Sequence, residues 1–256
     1  MSTGAHTLDL AQIVLYCFWI FFAGLIYYLH RENKREGYPL ESDGRRGTRV
    51  RIQGFPAIPL PKTYRLRDGK TRTAPREGPP EPLPKAEPTS RVPGSPLEPS
   101  GNAMLDGVGP GAYAHRPDVP DTTIDGQARI VPLRRAIGFS VDPSDPDPRG
   151  LPVLGADRVV GGVVRDLWVD RSEVVFRYLE VEVAAGGATR HVLLPINFAR
   201  IESRRVDVRS ILGAQFAQVP ATQRDDQITL LEEERITAYY GAGTLFAEPS
   251  RREPLL

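Results

Sequence analysis

The chain has 256 residues, 25 of them proline and 24 glycine, with a single cysteine and a formal net charge of +1. One cysteine excludes an internal disulfide framework and any metal centre built on several thiolates. The length leaves room for one ordinary folded domain plus something extended.

The first element is the run LAQIVLYCFWIFFAGLIYYL, residues 10–29, which holds no charged side chain. At about 1.5 Å rise per residue it matches the roughly 30 Å hydrocarbon core of a bilayer. Eleven of its twenty residues are Leu, Ile, Phe or Val, together favouring insertion by about 3–7 kcal/mol. A secretory leader would need a basic segment before the run and a small-residue cleavage site; no Lys or Arg precedes it, and Tyr27-Tyr28-Leu29-His30 closes it. The expectation is a transmembrane helix over 10–30, with residues 1–9 on the outer side. The positive flank, with Arg31, Lys34 and Arg35, belongs on the cytoplasmic side. Tyr27 and Tyr28 are placed to meet the headgroup layer, and Arg31, Lys34 and Arg35 to meet anionic lipid there. Trp19, mid-span among Phe18, Phe21 and Phe22, is too deep for an interfacial anchor; it faces either lipid or, the preferred reading, another membrane protein.

Residues 31–104 follow as an extended segment at the membrane surface. Fourteen of the 25 prolines fall between Gly37 and Pro110, which argues against helix and against central strands. This segment carries 15 Lys and Arg against 9 Asp and Glu, whereas residues 105–256 carry 18 against 22. The basic excess is diffuse and poor in aromatic stacking residues, so lipid and protein contact is expected rather than nucleic acid.

From residue 105 onward, short Val-, Ile- and Tyr-rich segments alternate with turn signals, the pattern of a small mainly-β domain, a partly closed antiparallel barrel. Strands are expected over 129–133, 137–141, 158–160, 163–170, 174–183, 191–194 and 206–209. Gly161-Gly162 and Ala185-Gly186-Gly187-Ala188 read as hairpin turns. In Leu179-Glu180-Val181-Glu182-Val183 the two glutamates are expected on a wet face. A short C-terminal helix is expected over 230–240, with acids in its first turn and Gly241 ending it. Asp106-Gly-Val-Gly-Pro-Gly111 follows no strand and opens no helix, so it reads as a loop and not as a phosphate cradle. His6, His30, His115 and His191 lack metal-ligand spacing. Asp170 and Glu173 flank a turn after Leu167-Trp168-Val169, with Arg177 one strand step on; two acids and a guanidinium that close would tune each other's proton affinity.

These strings together resemble the H subunits of the photosynthetic reaction centres of purple bacteria. The resemblance is carried by FWIFFAGLIYYL, REGYPLE, DGVGPGAYA, RGLPV, DLWVDRSE, FRYLEVEV and ITLLEEERITAYYGAG, in that order. It implies a single transmembrane helix with the N-terminus periplasmic, in the bacterial inner (intracytoplasmic) membrane, and a cytoplasmic domain of the PRC-barrel type over 105–256. It implies a subunit that is not an enzyme and binds no cofactor itself. Such a subunit caps the cytoplasmic face of the L and M subunits, which hold bacteriochlorophyll, bacteriopheophytin, the quinones and a non-haem iron. A cytochrome subunit, light-harvesting antenna polypeptides and membrane lipids are further partners it implies, and nucleic acid is not among them. It also implies proton transfer to the secondary quinone through Asp125, Asp170, Glu173 and Arg177. Some relatives carry two histidines just after the position of Asp125 that admit protons and bind divalent metal; here the residues are Gly126-Gln127-Ala128-Arg129. PRC-barrel domains also occur in adaptors of ribosome assembly, so a tethered adaptor for RNA or protein is the alternative reading, against which the acidic domain argues.

Overall fold

The computed structural model describes residues 9–38, 40–43, 49–74, 85–92 and 94–252. They group into two compact units, one ending at Pro82 and taking in Ser90–Ser95, the other made of Leu83–Thr89 and Pro96 onward.

The first unit begins with α1, Leu10–Asn33, a 24-residue helix with no buried residue and no acid in its first turn. It is long and apolar enough to cross a membrane. Along it Phe18 stacks on Phe22 at 5.7 Å, and Trp19 meets both rings edge-on. The helix outruns the apolar stretch because its last turn is held by polar contacts. Two short hairpins follow, β1 (Leu40–Asp43) with β2 (Arg49–Ile52), and β3 (Lys62–Arg65) with β4 (Thr71–Ala74). These short hairpins are pieces of extended chain and not central strands: β3 and β4 fit between Pro61 and Pro75, where no ring interrupts the ladder.

The second unit opens with a further hairpin, β5 (Ala86–Pro88) and β6 (Leu97–Pro99), whose prolines sit at strand ends. A seven-stranded sheet then forms from β7 (Ile130–Pro132), β8 (Pro152–Leu154), β9 (Val160–Asp170), β10 (Val175–Ala185), β11 (Ala188–Pro195), β12 (Ala199–Ile201) and β13 (Val206–Val208). Its order is β11-β10-β9-β8-β13-β12, with β7 also on β9. Long β9 is the spine: its first half pairs with β8 and its second half with β7, while β10 runs along the other edge. One pair, β8 with β13, is parallel, a departure from the all-antiparallel expectation. The sheet curls around a core of Trp168, Leu179, Leu194, Phe216, Ile236 and Tyr240, and α2 (Leu230–Phe246) closes the chain.

Four local expectations are overturned. Gly161 and Gly162 lie inside β9, not in a turn. A Cβ on Gly161 would meet the Phe216 ring at 2.2 Å, and one on Gly162 would meet the Glu182 carbonyl at 2.4 Å. They are glycines because neighbours approach, not because the chain reverses. Gly241 does not end α2, which runs on to Phe246; its missing side chain leaves room for the Pro110 carbonyl, as that of Gly243 does for Ser210. Residues 137–141 form no strand: Gly138 takes φ +86° and Ile137 points fully outward. Residue 158 belongs to the turn before β9, with Arg158 at φ 64°. The turn at 185–188 is as expected.

Candidate functional site

The second unit carries two charge clusters on the strands around β9. The first is built on the β9–β10 turn. Asp170 ends β9, and its carboxylate accepts the backbone N–H groups of Ser172 (2.9 Å) and Glu173 (3.0 Å). This is the local bonding by which an aspartate side chain fixes a turn. Val174 completes the reversal at φ 57° and donates to the Asp170 carbonyl at 2.8 Å. The same turn recruits β7, since the Arg171 N–H donates to the Arg129 carbonyl at 3.0 Å.

Arg129 occupies the centre. Its Nε donates to both oxygens of Asp170, at 3.0 and 2.9 Å, its Nη1 to Asp121 at 3.1 Å, and its Nη2 to Glu173. Arg177 adds Nη2 to Glu173 at 2.7 Å and Nε to Asp170 at 3.5 Å. Burial by itself would raise the Asp170 carboxyl, whose side chain is only 1% exposed; the bonds from Arg129 and from the turn's two N–H groups outweigh it and hold the group below the usual carboxylate range. The Arg129 guanidinium is raised in turn, first by its bonds to Asp170. Glu173 stays half-exposed at 51%.

A cleft of about 550 Å³ opens beside this cluster, lined by Arg129, Asp170, Arg177, Tyr178, Glu233 and Thr237 among others. Glu233, from the first turn of α2, accepts the Tyr178 hydroxyl at 2.9 Å. Burial raises its carboxyl above the ordinary value. The cleft thus holds one carboxylate kept ionised and one that retains its proton to higher pH.

Of the residues expected from sequence, Asp170, Glu173 and Arg177 come together. Asp125 does not join them. It sits exposed at the tip of a small loop closed by Thr122 and Ala128, and among the described residues it forms no ion pair. Sequence reasoning placed Arg129 at the start of a strand and where some relatives carry histidine, but not in this cluster; it did not join Asp121 to Arg129, and it read Glu233 only as one of the acids in the first turn of α2. The one signal for Arg129 was a cation opening the expected strand over 129–133.

The second cluster contradicts the wet-face expectation for Glu180, which is 3% exposed. Its carboxylate accepts from Trp168 Nε1 at 2.8 Å and Arg134 Nη1 at 2.6 Å, and bonds His191 Nδ1 at 2.6 Å. Asp166, opposite Glu180 on β9, shares Arg134 at 3.0 Å. Burial would raise Glu180; these bonds overcome that and lower it. Glu182 does keep a partly open face, where it pairs with Arg165.

In the first unit the expected lipid-facing cations divide. Lys34 is buried and donates to the carbonyls of Gln53 (2.7 Å) and Pro56 (2.6 Å), with its ammonium 5.0 Å from the Tyr38 ring centre. Arg35 bonds Glu32 and the carbonyls of Leu60 and Ala74. Both serve as struts for the chain after the helix. Arg31, Tyr27 and Tyr28 remain exposed.

Two known families match the chain, with a boundary that falls inside the second unit. Residues 3–135 match the family described as the photosynthetic reaction centre H-chain N-terminal region, and residues 144–215 match the PRC-barrel domain. The first match runs from the helix to Arg129 and Arg134, and the second contains Asp170, Glu173, Arg177 and Glu180, so each cluster draws on both. The chain therefore belongs to the reaction-centre H-chain family: it is a structural subunit of the photosynthetic reaction centre, with an apolar helix followed by a PRC-barrel domain.

Proposed function

We propose that this subunit caps the cytoplasmic face of the L and M subunits, stabilises the quinone region there, and passes protons towards the secondary quinone as it is reduced. The pigments, quinones and non-haem iron belong to those partners. The helix then crosses the inner membrane with its N-terminus periplasmic and the PRC-barrel domain cytoplasmic, the orientation that Arg31, Lys34 and Arg35 favour. The observation that supports the proton-transfer reading is the cleft in which the Asp170 carboxyl is held low and that of Glu233 is raised, with half-exposed Glu173 bonded to Arg129 and Arg177 beside it.

Each group has a distinct part. Asp170, held ionised, serves as the fixed anion that orients Arg129 and Arg177. Glu173, half-exposed and bonded by both guanidiniums, takes protons from solvent. Glu233 has the raised affinity that suits a proton-holding group, and its bond to Tyr178 fixes its direction. Asp125 acts as an outlying surface anion that raises the local proton concentration. With Gln127 and Arg129 where some relatives carry histidine, and Arg129 already bonded to carboxylates, a divalent-metal site near Asp125 is not part of this reading.

Purification of the tagged chain from its native membranes tests it. Bacteriochlorophyll and bacteriopheophytin absorption bands that co-purify with the chain support the assignment, and colourless material, or bound RNA, contradicts it.

A further inference from the structure

The β3–β4 hairpin is a projection of positive charge rooted on the last turn of the apolar helix. Between Lys62 and Ala74 there are five basic residues, Lys62, Arg65, Arg67, Lys70 and Arg72, against Asp68 alone. Both of its feet are tied to the helix end. At the first, Lys62 pairs with Glu32 at 2.8 Å and lies 5.7 Å from the Tyr28 ring centre. At the second, Arg35 donates to Ala74 at 3.0 Å and to Leu60 at 2.7 Å. The tip is closed by Leu66 N–H to the Lys70 carbonyl at 2.7 Å, with Gly69 at φ +81°. Thr63 and Thr73 bond across the strands at 3.2 Å.

The side chains of this hairpin are exposed on both faces, so it has no core of its own beyond its feet. Beside it, Phe55 and Leu60 are 84% and 80% exposed, and the Phe55 ring lies 6.2 Å from Tyr27 in the span. Two bare apolar side chains level with the end of a membrane-crossing helix, next to a cationic ribbon, match the layering of a bilayer surface: acyl boundary, then phosphate. We infer that the hairpin is a binding surface for anionic phospholipid headgroups, with Arg65, Arg67, Lys70 and Arg72 over the phosphates and Phe55 and Leu60 seated in the interface. The cations next to the span, Lys34 and Arg35, are spent on the scaffold, and the lipid-facing charge is displaced some thirty residues along the chain. This rests on the membrane-crossing reading of α1.

The test uses the full chain in lipid nanodiscs, with Cys17→Ala and a nitroxide on Thr71→Cys, an exposed and uncharged position. Label accessibility to a lipid-soluble and to a water-soluble relaxing agent is compared in phosphatidylcholine discs and in discs containing phosphatidylglycerol. The expected result is immersion only in the anionic discs, reversed by high salt. Each basic residue near such a surface shifts the seated-to-lifted ratio by about fivefold, so Arg65→Gln, Arg67→Gln and Arg72→Gln together should lower it about a hundredfold and leave the label in water. A label that is equally aqueous in both discs overturns the inference while the membrane reading stands. A chain that fails to stay with the discs overturns both. Protection that depends on added L and M subunits and ignores lipid charge shows that the surface serves protein instead.

Discussion

Removing Arg129 is the sharpest perturbation of the first cluster. Arg129→Ala deletes both guanidinium bonds to Asp170 and leaves its 1%-exposed carboxylate with two backbone N–H groups and Arg177 at 3.5 Å. Stripping one partner from a buried ion pair costs about 3–5 kcal/mol; the contacts that remain bring the expected loss to about 2–3 kcal/mol. In a domain of this size that is a fall of about 4–12 °C in melting temperature. The pH dependence follows from the sign of the shift. In the wild type the folded carboxyl lies below its unfolded value of about 3.9, so its stabilisation is complete above that value and is lost as pH falls through the folded one. Without Arg129, burial is no longer outweighed and the folded value rises. The deficit should therefore be largest near neutral pH and shrink towards acid as Asp170 takes up a proton. Thermal unfolding of the purified chain in detergent across that range reads this out, with Arg129→Ala/Asp170→Asn as the partner variant. A deficit that is constant with pH, and not relieved by Asp170→Asn, would show that Arg129 acts through packing and not through this charge.

Glu180→Gln keeps the shape of the second cluster but removes the charge that Arg134 and His191 bond; a loss of about 1–3 kcal/mol, with a shifted Trp168 emission, is expected from fluorescence-monitored unfolding. Gly162→Ala places a Cβ 2.4 Å from the Glu182 carbonyl and should cost at least about 1–3 kcal/mol, whereas a true turn position would tolerate it; circular-dichroism melts separate the two. Protease added outside sealed right-side-out vesicles should leave the domain over 105–256 intact, and its complete digestion would reverse the assigned orientation.

The span and the mainly-β domain are readable in the sequence because each is a local pattern answering to one solvent: an unbroken apolar run for lipid, and short β-branched segments between turn residues for a sheet. Asp170, Glu173 and Arg177 are readable for the same reason, since they flank a single turn within eight residues. What escapes is set by distant partners. Gly161-Gly162 looks the same whether the chain turns or another element approaches, and only Phe216 and Glu182 decide it. Glu180 alternates with valines as a wet-face residue should, yet the segment carrying Arg134, 46 positions away, covers that face. Arg129 becomes the hub of its cluster through Asp170, 41 positions on. Gly241 carries a helix-stop signal, but α2 continues because Pro110 packs where a side chain would stand. The prolines of the basic segment limit strand length without forbidding hairpins between them.

The central claim is that Glu173 carries protons for quinone reduction, and flash spectroscopy of the assembled complex tests it most directly. Glu173→Gln preserves size and most hydrogen bonding but cannot release a proton. The proton-coupled transfer of the second electron to the secondary quinone should slow markedly and fall more steeply as pH rises, while the first electron transfer changes far less. Unchanged second-electron kinetics in Glu173→Gln across that pH range would contradict the account and place proton uptake elsewhere.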